Sequence, residues 1–510
     1  MADTTPNPPA GPDLVAGIPS SSVIDGAMLL GHMNDEPVLV ARVDGALHAI
    51  GATCSHYGGP LAEGILVGAT VRCPWHHACF SLKTGEALSA PAIDRVSCFR
   101  VEESDGQIFV RDRIKPPSAF RRALSSPPTS VVIVGAGAAG VAAAEMLRRC
   151  GYDGPVRLFD QLSTPPVDRP NLSKDYLAGT AEEAWVELRP DDFYASHDIA
   201  LLRGKRVVRL DTAARHVVTE SGDTVGYSAL LLATGSSPVK LSVPGADLPT
   251  VHYLRTLADS KAIIAAAKTG RRAVVIGASF IGLEVAASLR QRGTEVTVVA
   301  PESLPLERIL GSELGEMIMA IHESHGVVFR LGATVQSVTA GSVQLGDGSA
   351  LPCDFVVVGV GVRPDVTLAT EAGITVDNGV VVKPTLETSA SNVFAAGDIA
   401  SWPDPRSGRI RVEHWVVAQR QGQTAARNIL GADEPFTLTP FFWSRHFDLS
   451  INYVGHASRD DTRDVDGDPM KHECTVRYRA ATGAVDAQAD VSRDRENLLA
   501  EVRLDGDFQR

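Results

Sequence analysis

Four side chains near the N-terminus have the types and spacing of metal ligands. Cys54 and His56 form C-x-H, sixteen residues intervene, and Cys73 and His76 form C-x-x-H. Thiolate and imidazole both bind transition metals, and two of each allow two arrangements. A [2Fe–2S] cluster takes the thiolates on one iron and the imidazoles on the other, and neutral imidazole raises its reduction potential above that of an all-cysteine cluster. A structural zinc site gathers all four around one ion. Zinc fingers keep like ligands together, as C-x₂₋₄-C and H-x₃₋₅-H. Here each pair mixes one Cys with one His, which favours the two-iron arrangement. His77 adjoins His76 but falls outside the C-x-x-H spacing, so it reads as a loop side chain that shields or hydrogen-bonds the site. Cys79 reads as a small packing residue.

Two glycine-rich turns carry a second chemistry. Val131 to Val134 reads as a buried strand, followed by Gly135-x-Gly137-x-x-Gly140, an Ala-rich helix through Arg149, and a strand from Val156 to Phe159 closed by Asp160. Such glycines let backbone approach a pyrophosphate at a helix N-terminus, and the acid accepts from a ribose hydroxyl. Strand, turn, helix, strand and acid in that order separate this motif from an ordinary Gly turn. The second unit runs from Ala273 to Ile276, through Gly277, Ser279 and Gly282, along a helix to Arg290 and a strand from Val296 to Val299. Ser279 stands where the middle glycine belongs, and its side chain is expected to crowd the phosphate. Ala300 ends the strand where an NAD site prefers an acid, and Glu302 lies two residues on. No Arg follows directly to meet a 2′-phosphate, the nearest downstream being Arg308. The coenzyme expectation is therefore NADH, with NADPH open.

The elements that must position these residues can be read by texture. At 510 residues the chain should hold three or four domains at roughly 150 residues each. Val38 to Val43 alternates, Asp44-Gly45 turns, and Ala46 to Ile50 returns, the pattern of a small all-β module of hairpins. Lys115 to Pro128 is Pro-rich and polar and reads as a semi-stiff linker. Strand–turn–helix units then signal α/β layering. From about Ala432 hairpin-like alternation returns. The fold expectation is multidomain: an all-β first domain, two Rossmann-like α/β domains, and a C-terminal α+β domain. The boundaries are a flexible tail at 1–14, the β module at 15–113, a linker at 114–129, a first dinucleotide domain at 130–250 and 371–432 with the second inserted at 251–370, and the last domain at 433–510.

A net charge of −13 argues against nucleic acid and anionic membrane as partners. No apolar run reaches the length of a membrane span, and Met1 to Pro12 lacks the features of a signal or transit peptide. The seven Cys are scattered, with no C-x-x-C, so disulfide-reductase chemistry is not expected and a reducing, cytoplasmic setting is.

The runs Cys54-Ser55-His56-Tyr57-Gly58-Gly59-Pro60-Leu61 and Cys73-Pro74-Trp75-His76-His77-Ala78-Cys79-Phe80 closely resemble the two boxes of Rieske ferredoxins. Respiratory-type members carry one more Cys in each loop, where this chain has Gly59 and Trp75, so it resembles the ferredoxin and oxygenase branch. Leu231 to Gly235, Val357 to Pro364 and Asn392 to Asp398 resemble, in that order, segments of the two-dinucleotide flavoprotein reductases. Asp168-Arg169-Pro170-Asn171-Leu172-Ser173-Lys174 resembles a box of the oxygenase-coupled ferredoxin reductases and apoptosis-inducing-factor relatives. Together they resemble the apoptosis-inducing-factor-like Rieske flavoproteins over nearly the whole chain from about Val15.

That resemblance implies one [2Fe–2S] cluster on Cys54, His56, Cys73 and His76. It implies FAD at Gly135, Gly137, Gly140, Asp160, Arg169, Lys174, Ala233, Thr234, Gly235, Asp398 and Trp415, with Trp443 as a further candidate for the flavin wall. It implies NAD(P)H at Gly277, Ser279, Gly282, Glu302 and Gly361. Lys174 and Glu284 would pair beside the flavin as the catalytic candidates, and Asp398 would bind the ribityl chain. The function so implied is an NAD(P)H-dependent flavoprotein oxidoreductase that passes electrons through FAD and the cluster to an unidentified one-electron acceptor. A redox-responsive signalling protein with slow turnover is the alternative, a reductase subunit of an oxygenase is a third reading, and a homodimer is kept open.

Overall fold

The computed structural model describes residues 10–121, 124 and 126–506. The described residues divide into two units, those within 1–125, 146–152 and 494–510 in the first and those within 126–145 and 153–493 in the second.

Side-chain alternation builds the first unit. Its larger sheet is antiparallel, in the spatial order Ile18–Pro19, Gln107–Ile114, Cys98–Ser104, Ala46–Gly51, Glu36–Val43 and Met28–Met33. Along Glu36–Val43, Val38 and Val40 enter one core with Leu14, Phe99 and Ile108. Leu39 and Ala41 enter another, with Val71, Phe80 and Ala87, as a period of two requires. The Asp44-Gly45 turn has both residues at positive φ, 50° and 75°, the geometry a two-residue hairpin needs. A second antiparallel sheet, Ile65–Val67, Thr70–Arg72, Cys79–Ser81 and Ala87–Ser89, carries the Cys73 loop as one of its hairpin connections.

Three segments differ from their sequence reading. Residues 1–9 of the expected tail lie outside the described residues, and Leu14, at its other end, is fully buried and donates its N–H to His32 O at 2.9 Å. The expected linker is anchored over part of its length, because Ala119 N–H donates to Glu86 Oε2 and Arg149 sits over the Phe120 ring at 4.6 Å. Its residues 122, 123 and 125 lie outside the described set. The helix Asp494–Gly506, read from sequence as part of the C-terminal domain, belongs to the first unit. Its Leu498, Glu501 and Leu504 are buried there, and Arg495 donates to Gly64 O at 2.8 Å.

The second unit contains two five-stranded parallel sheets. One runs Ile199–Leu202, Val156–Phe159, Val131–Val134, Ala229–Leu232 and Val393–Ala395, and the other Val251–Tyr253, Phe355–Val358, Arg272–Ile276, Glu295–Ala300 and Val327–Leu331. Val131–Val134, Ala229–Leu232 and Phe355–Val358 are buried at every residue, as strands covered on both faces must be. A five-stranded antiparallel sheet, Phe441–His446, Leu449–Gly455, Val485–Val491, Glu473–Arg479 and Thr462–Asp468, completes the unit. No helix among the described residues is long and apolar enough to cross a membrane.

Candidate functional site

The two loops bearing Cys54 and Cys73 are built alike. In the first, Cys54 N–H donates to Gly59 O at 2.8 Å and Gly58 N–H to Cys54 O at 3.0 Å. In the second, Cys73 N–H donates to Ala78 O at 2.8 Å and His77 N–H to Cys73 O at 3.2 Å. The fifth residue of each turn is left-handed, Gly58 at φ 76° and His77 at 62°. These turns aim backbone N–H groups at sulfur, those of His56 and Tyr57 at Cys54 and those of Trp75 and His76 at Cys73. Such bonds stabilise thiolates and tune the potential of an iron–sulfur centre.

The buried Cys54 and Cys73 thiols are within hydrogen-bond reach of each other. The bond ties the two thiols together, and burial opposes their ionisation while the backbone N–H groups favour it. The His56 and His76 rings meet edge to face at 5.0 Å. Burial pushes His56 down to about 3, which keeps its imidazole neutral, the ligating form. Gly59 is required by close approach, since a Cβ there would stand 2.7 Å from Cys73 Sγ. Among the described residues no three His, Cys, Asp or Glu side chains converge as ligands of a single ion. Two thiolates and two imidazoles are the ligand set of a Rieske-type [2Fe–2S] centre. The donor set fits a [2Fe–2S] cluster.

In the second unit, Gly135 has φ 109° and a Cβ would strike Ala233 O at 2.2 Å, while a Cβ on Gly140 would strike Gly135 O at 1.9 Å. Both are packing requirements. Gly137 instead looks into open space bounded by the Arg169 guanidinium, 3.7 Å from its notional Cβ. Arg255 closes the same space, with Nη2 3.1 Å from the notional Cβ of Gly235. Burial, then the neighbouring charge of Arg255, presses the pKa of Arg169 down to about 10. Two guanidiniums beside a helix N-terminus form an anion cradle, and a dinucleotide diphosphate fits it.

Asp398 accepts from Arg255 at 2.9 Å and Ser236 at 2.6 Å. Burial opposes its charge, but Arg255, Ser236 and Arg169 outweigh that and hold its carboxyl below the usual range. Asp160 follows its strand as expected; its Oδ1 accepts from Leu162 N–H at 3.1 Å, and burial raises its pKa. Thr234 Oγ1 donates to Asp365 O at 2.6 Å. Trp415 opens the helix Trp415–Ile429, and Gly422 on that helix approaches Ala139 so closely that a Cβ would lie 2.2 Å from its carbonyl. Trp443 stacks on Phe441 at 6.2 Å. Phe442 packs against Phe280, His414 and Tyr453.

The second glycine loop repeats the first. Gly277 has φ 108° and a Cβ would lie 2.3 Å from Gly359 O, and a Cβ on Gly282 would lie 2.1 Å from Gly277 O. Ser279 does not crowd the loop as expected, because its Oγ turns away and donates to Gly359 O at 2.6 Å. Gly361, at φ 106°, borders open space. Glu302 sits just past the strand Glu295–Ala300 with its Oε1 3.6 Å from Arg308 Nη2.

Lys174 Nζ lies 2.8 Å from Glu284 Oε2. Glu284 also accepts from Ser173 Oγ at 2.6 Å and Ser444 Oγ at 2.7 Å. Beyond Ser444 the chain continues to His446 Nε2 at 3.2 Å and from His446 Nδ1 to His322 Nε2 at 3.1 Å. Its directions are forced. The Ser444 proton goes to the carboxylate, so Ser444 accepts from His446 Nε2–H, and His446 Nδ1 accepts from His322 Nε2–H. Both imidazoles are fully buried, and burial pushes His446 down to about 3 and His322 well below its ordinary value. Ser444 falls in the run Phe442-Trp443-Ser444 that resembles the flavin wall of the reductases, whereas Arg255, His446 and His322 carry no motif in the sequence. Only the alternation of 444 and 446 on one strand hints that they share a face.

Residues 129–422 match the family described as pyridine nucleotide-disulphide oxidoreductase, and residues 14–100 match the Rieske [2Fe-2S] domain. The chain is 34% identical over 451 residues to apoptosis-inducing factor 3 of Homo sapiens, covering 84% of this chain and 74% of that protein. It is 38% identical over 344 residues to rhodocoxin reductase of Rhodococcus erythropolis, covering 66% and 81%. Among solved structures it resembles the covalent putidaredoxin reductase–putidaredoxin complex, at 32% identity and a TM-score of 0.71 over 75% of this chain and 94% of that one.

Proposed function

This chain belongs to the pyridine nucleotide-disulphide oxidoreductase family and carries an N-terminal Rieske [2Fe-2S] domain, and on that premise we propose that it moves electrons from NAD(P)H through FAD and a [2Fe–2S] cluster to an external one-electron acceptor. It is an electron-transfer oxidoreductase of the FAD- and NAD(P)H-dependent kind. One observation carries the proposed route: a mixed Cys–His loop pair stands in the same chain as two glycine loops joined through the buried Lys174–Glu284 pair. When bound, FAD would accept hydride and release its two electrons singly, which a one-electron cluster requires.

The chain's own residues would seat these groups. Arg169 and Arg255 would neutralise the flavin diphosphate over Gly137, and Asp398 would accept from the ribityl chain. The Gly277–Gly282 loop would receive the coenzyme diphosphate. Lys174, held by Glu284, would place a positive charge at the flavin ring. Cys54, Cys73, His56 and His76 would ligate the cluster. Glu302 past its strand and no Arg directly after Ala300 favour NADH.

Anaerobic rapid mixing with NADH and with NADPH tests this reading. Flavin bleaching should precede the reduced-cluster EPR signal, with NADH giving the higher kcat/KM. Stoichiometric zinc without a Rieske-type signal would sink the cluster assignment. A long-lived reduced flavin with negligible turnover on one-electron acceptors would favour a signalling role.

A further inference from the structure

His77 is the anomaly of the cluster loops. It occupies the left-handed position that Gly58 fills in the sister loop, at φ 62° against 76°. Glycine takes that conformation freely, whereas a residue with a Cβ is strained there. The His77 side chain is fully buried, and its Nδ1 lies 3.0 Å from Glu501 Oε2 on the helix Asp494–Gly506. The same carboxylate oxygen accepts from Arg72 Nη1 at 2.9 Å. Arg72 and His77 are the residues immediately before and after the segment Cys73–His76, so one buried oxygen ties both feet of the ligand loop. Asp505, one helical turn on, also accepts from Arg72, at 3.2 Å. Glu501 and His77 side chains have no exposed surface, and a buried carboxylate persists only where it is paired and hydrogen-bonded.

We propose that Glu501 is a positioning residue for the cluster: by anchoring His77 in its left-handed conformation and Arg72 beside it, the C-terminal helix holds the Cys73–His76 loop in its ligating shape. Glu501 meets the loop at His77 and Arg72, on either side of the ligand segment. It acts through the backbone of the turn, and the unit that holds the cluster is therefore completed by residues more than four hundred positions away in sequence. The inference rests on the [2Fe–2S] reading proposed above.

The test uses the full-length holoprotein. Iron and sulfide per chain are measured, and decay of the cluster's visible absorbance is followed under an iron chelator. Glu501→Ala should lose its cluster about tenfold faster than wild type or more, since freeing a strained backbone position shifts a local equilibrium by that order. His77→Gly alone should hold its cluster like wild type, because glycine needs no anchor. The double variant should recover most of the lifetime, with Asp505 still pairing Arg72. A Glu501→Ala decay rate equal to wild type overturns the inference, as does a double variant that decays as fast as the single. Where Glu501→Ala does not accumulate, Glu501→Gln with and without His77→Gly is read by the same two criteria. A wild-type protein without an iron–sulfur spectrum overturns the cluster reading and this inference together. A wild-type cluster indifferent to Glu501 overturns the inference alone.

Discussion

Glu284 gathers three donors on one side chain in the second unit. Its carboxylate is nearly buried and accepts from Lys174, Ser173 and Ser444. Glu284→Ala removes the counter-charge of a partly buried ammonium and the acceptor of two hydroxyls, and should cost about 3–5 kcal/mol in denaturant unfolding. Lys174→Ala should lower the flavin potential and slow its reduction by NADH, and unchanged potential and kinetics would reject a role at the ring. The buried imidazoles behind Glu284 make stability pH-dependent. His446 titrates near 6.5 when unfolded and at about 3 when folded, so it stays neutral in the fold while the unfolded chain takes up a proton. Its contribution is fully present above about pH 6.5 and is lost on acidification, by up to about 1.4 kcal/mol per pH unit down toward pH 3. Unfolding free energies at pH 7.5 and 5.5 should differ less in His446→Gln than in wild type.

At the scale of elements, the glycines of the two phosphate loops divide by what surrounds them. Gly282 is a packing glycine, because its notional Cβ meets Gly277 O at 2.1 Å and its own Cα lies 3.0 Å from the notional Cβ of Gly359. Gly282→Asp is therefore expected to disturb the helix–strand contact as well as the coenzyme phosphate. Even Gly282→Ala should destabilise by about 1–3 kcal/mol through overpacking. Gly137 is the opposite case. Its notional Cβ meets nothing nearer than 3.7 Å, so Gly137→Ala should keep the thermal midpoint of the FAD-free protein while lowering its affinity for FAD. Flavin titration alongside a melting curve separates the two, and equal loss of stability in both variants would reject the distinction.

At the scale of the molecule, the division into two units separates the two kinds of cofactor. Cys54, His56, Cys73 and His76, the proposed cluster ligands, all lie in the first unit, and the glycine loops proposed for flavin and coenzyme lie in the second. Cys73→Ser should therefore remove the iron–sulfur spectrum and leave FAD content and flavin reduction by NADH intact. Loss of both cofactors together would show that the units do not fold independently. The electron acceptor has to meet a strongly acidic chain of net charge −13. Tyr57 and Trp75, beside His56 and His76 in the two loops, are two-fifths exposed.

The amino-acid sequence by itself determined what is local. Strand alternation, the Asp44-Gly45 turn, the C-x-H and C-x-x-H spacings and both glycine loops are written within a few residues of each other, because hydrogen-bonded turns and period-two burial are short-range geometry. Val131–Val134 and Val156–Phe159 are legible to the residue for that reason. Tertiary structure alone decided which distant groups meet. Arg255 at the Gly137 cradle, Ser444 and His446 behind Glu284, the inward turn of Ser279 onto Gly359, and Glu501 beneath His77 join segments separated by tens to hundreds of residues. No periodicity encodes such pairs. A lone Glu on a C-terminal helix has the same local signature whether it faces water or clamps a ligand loop, and only burial among partners brought together by the whole fold tells the two apart.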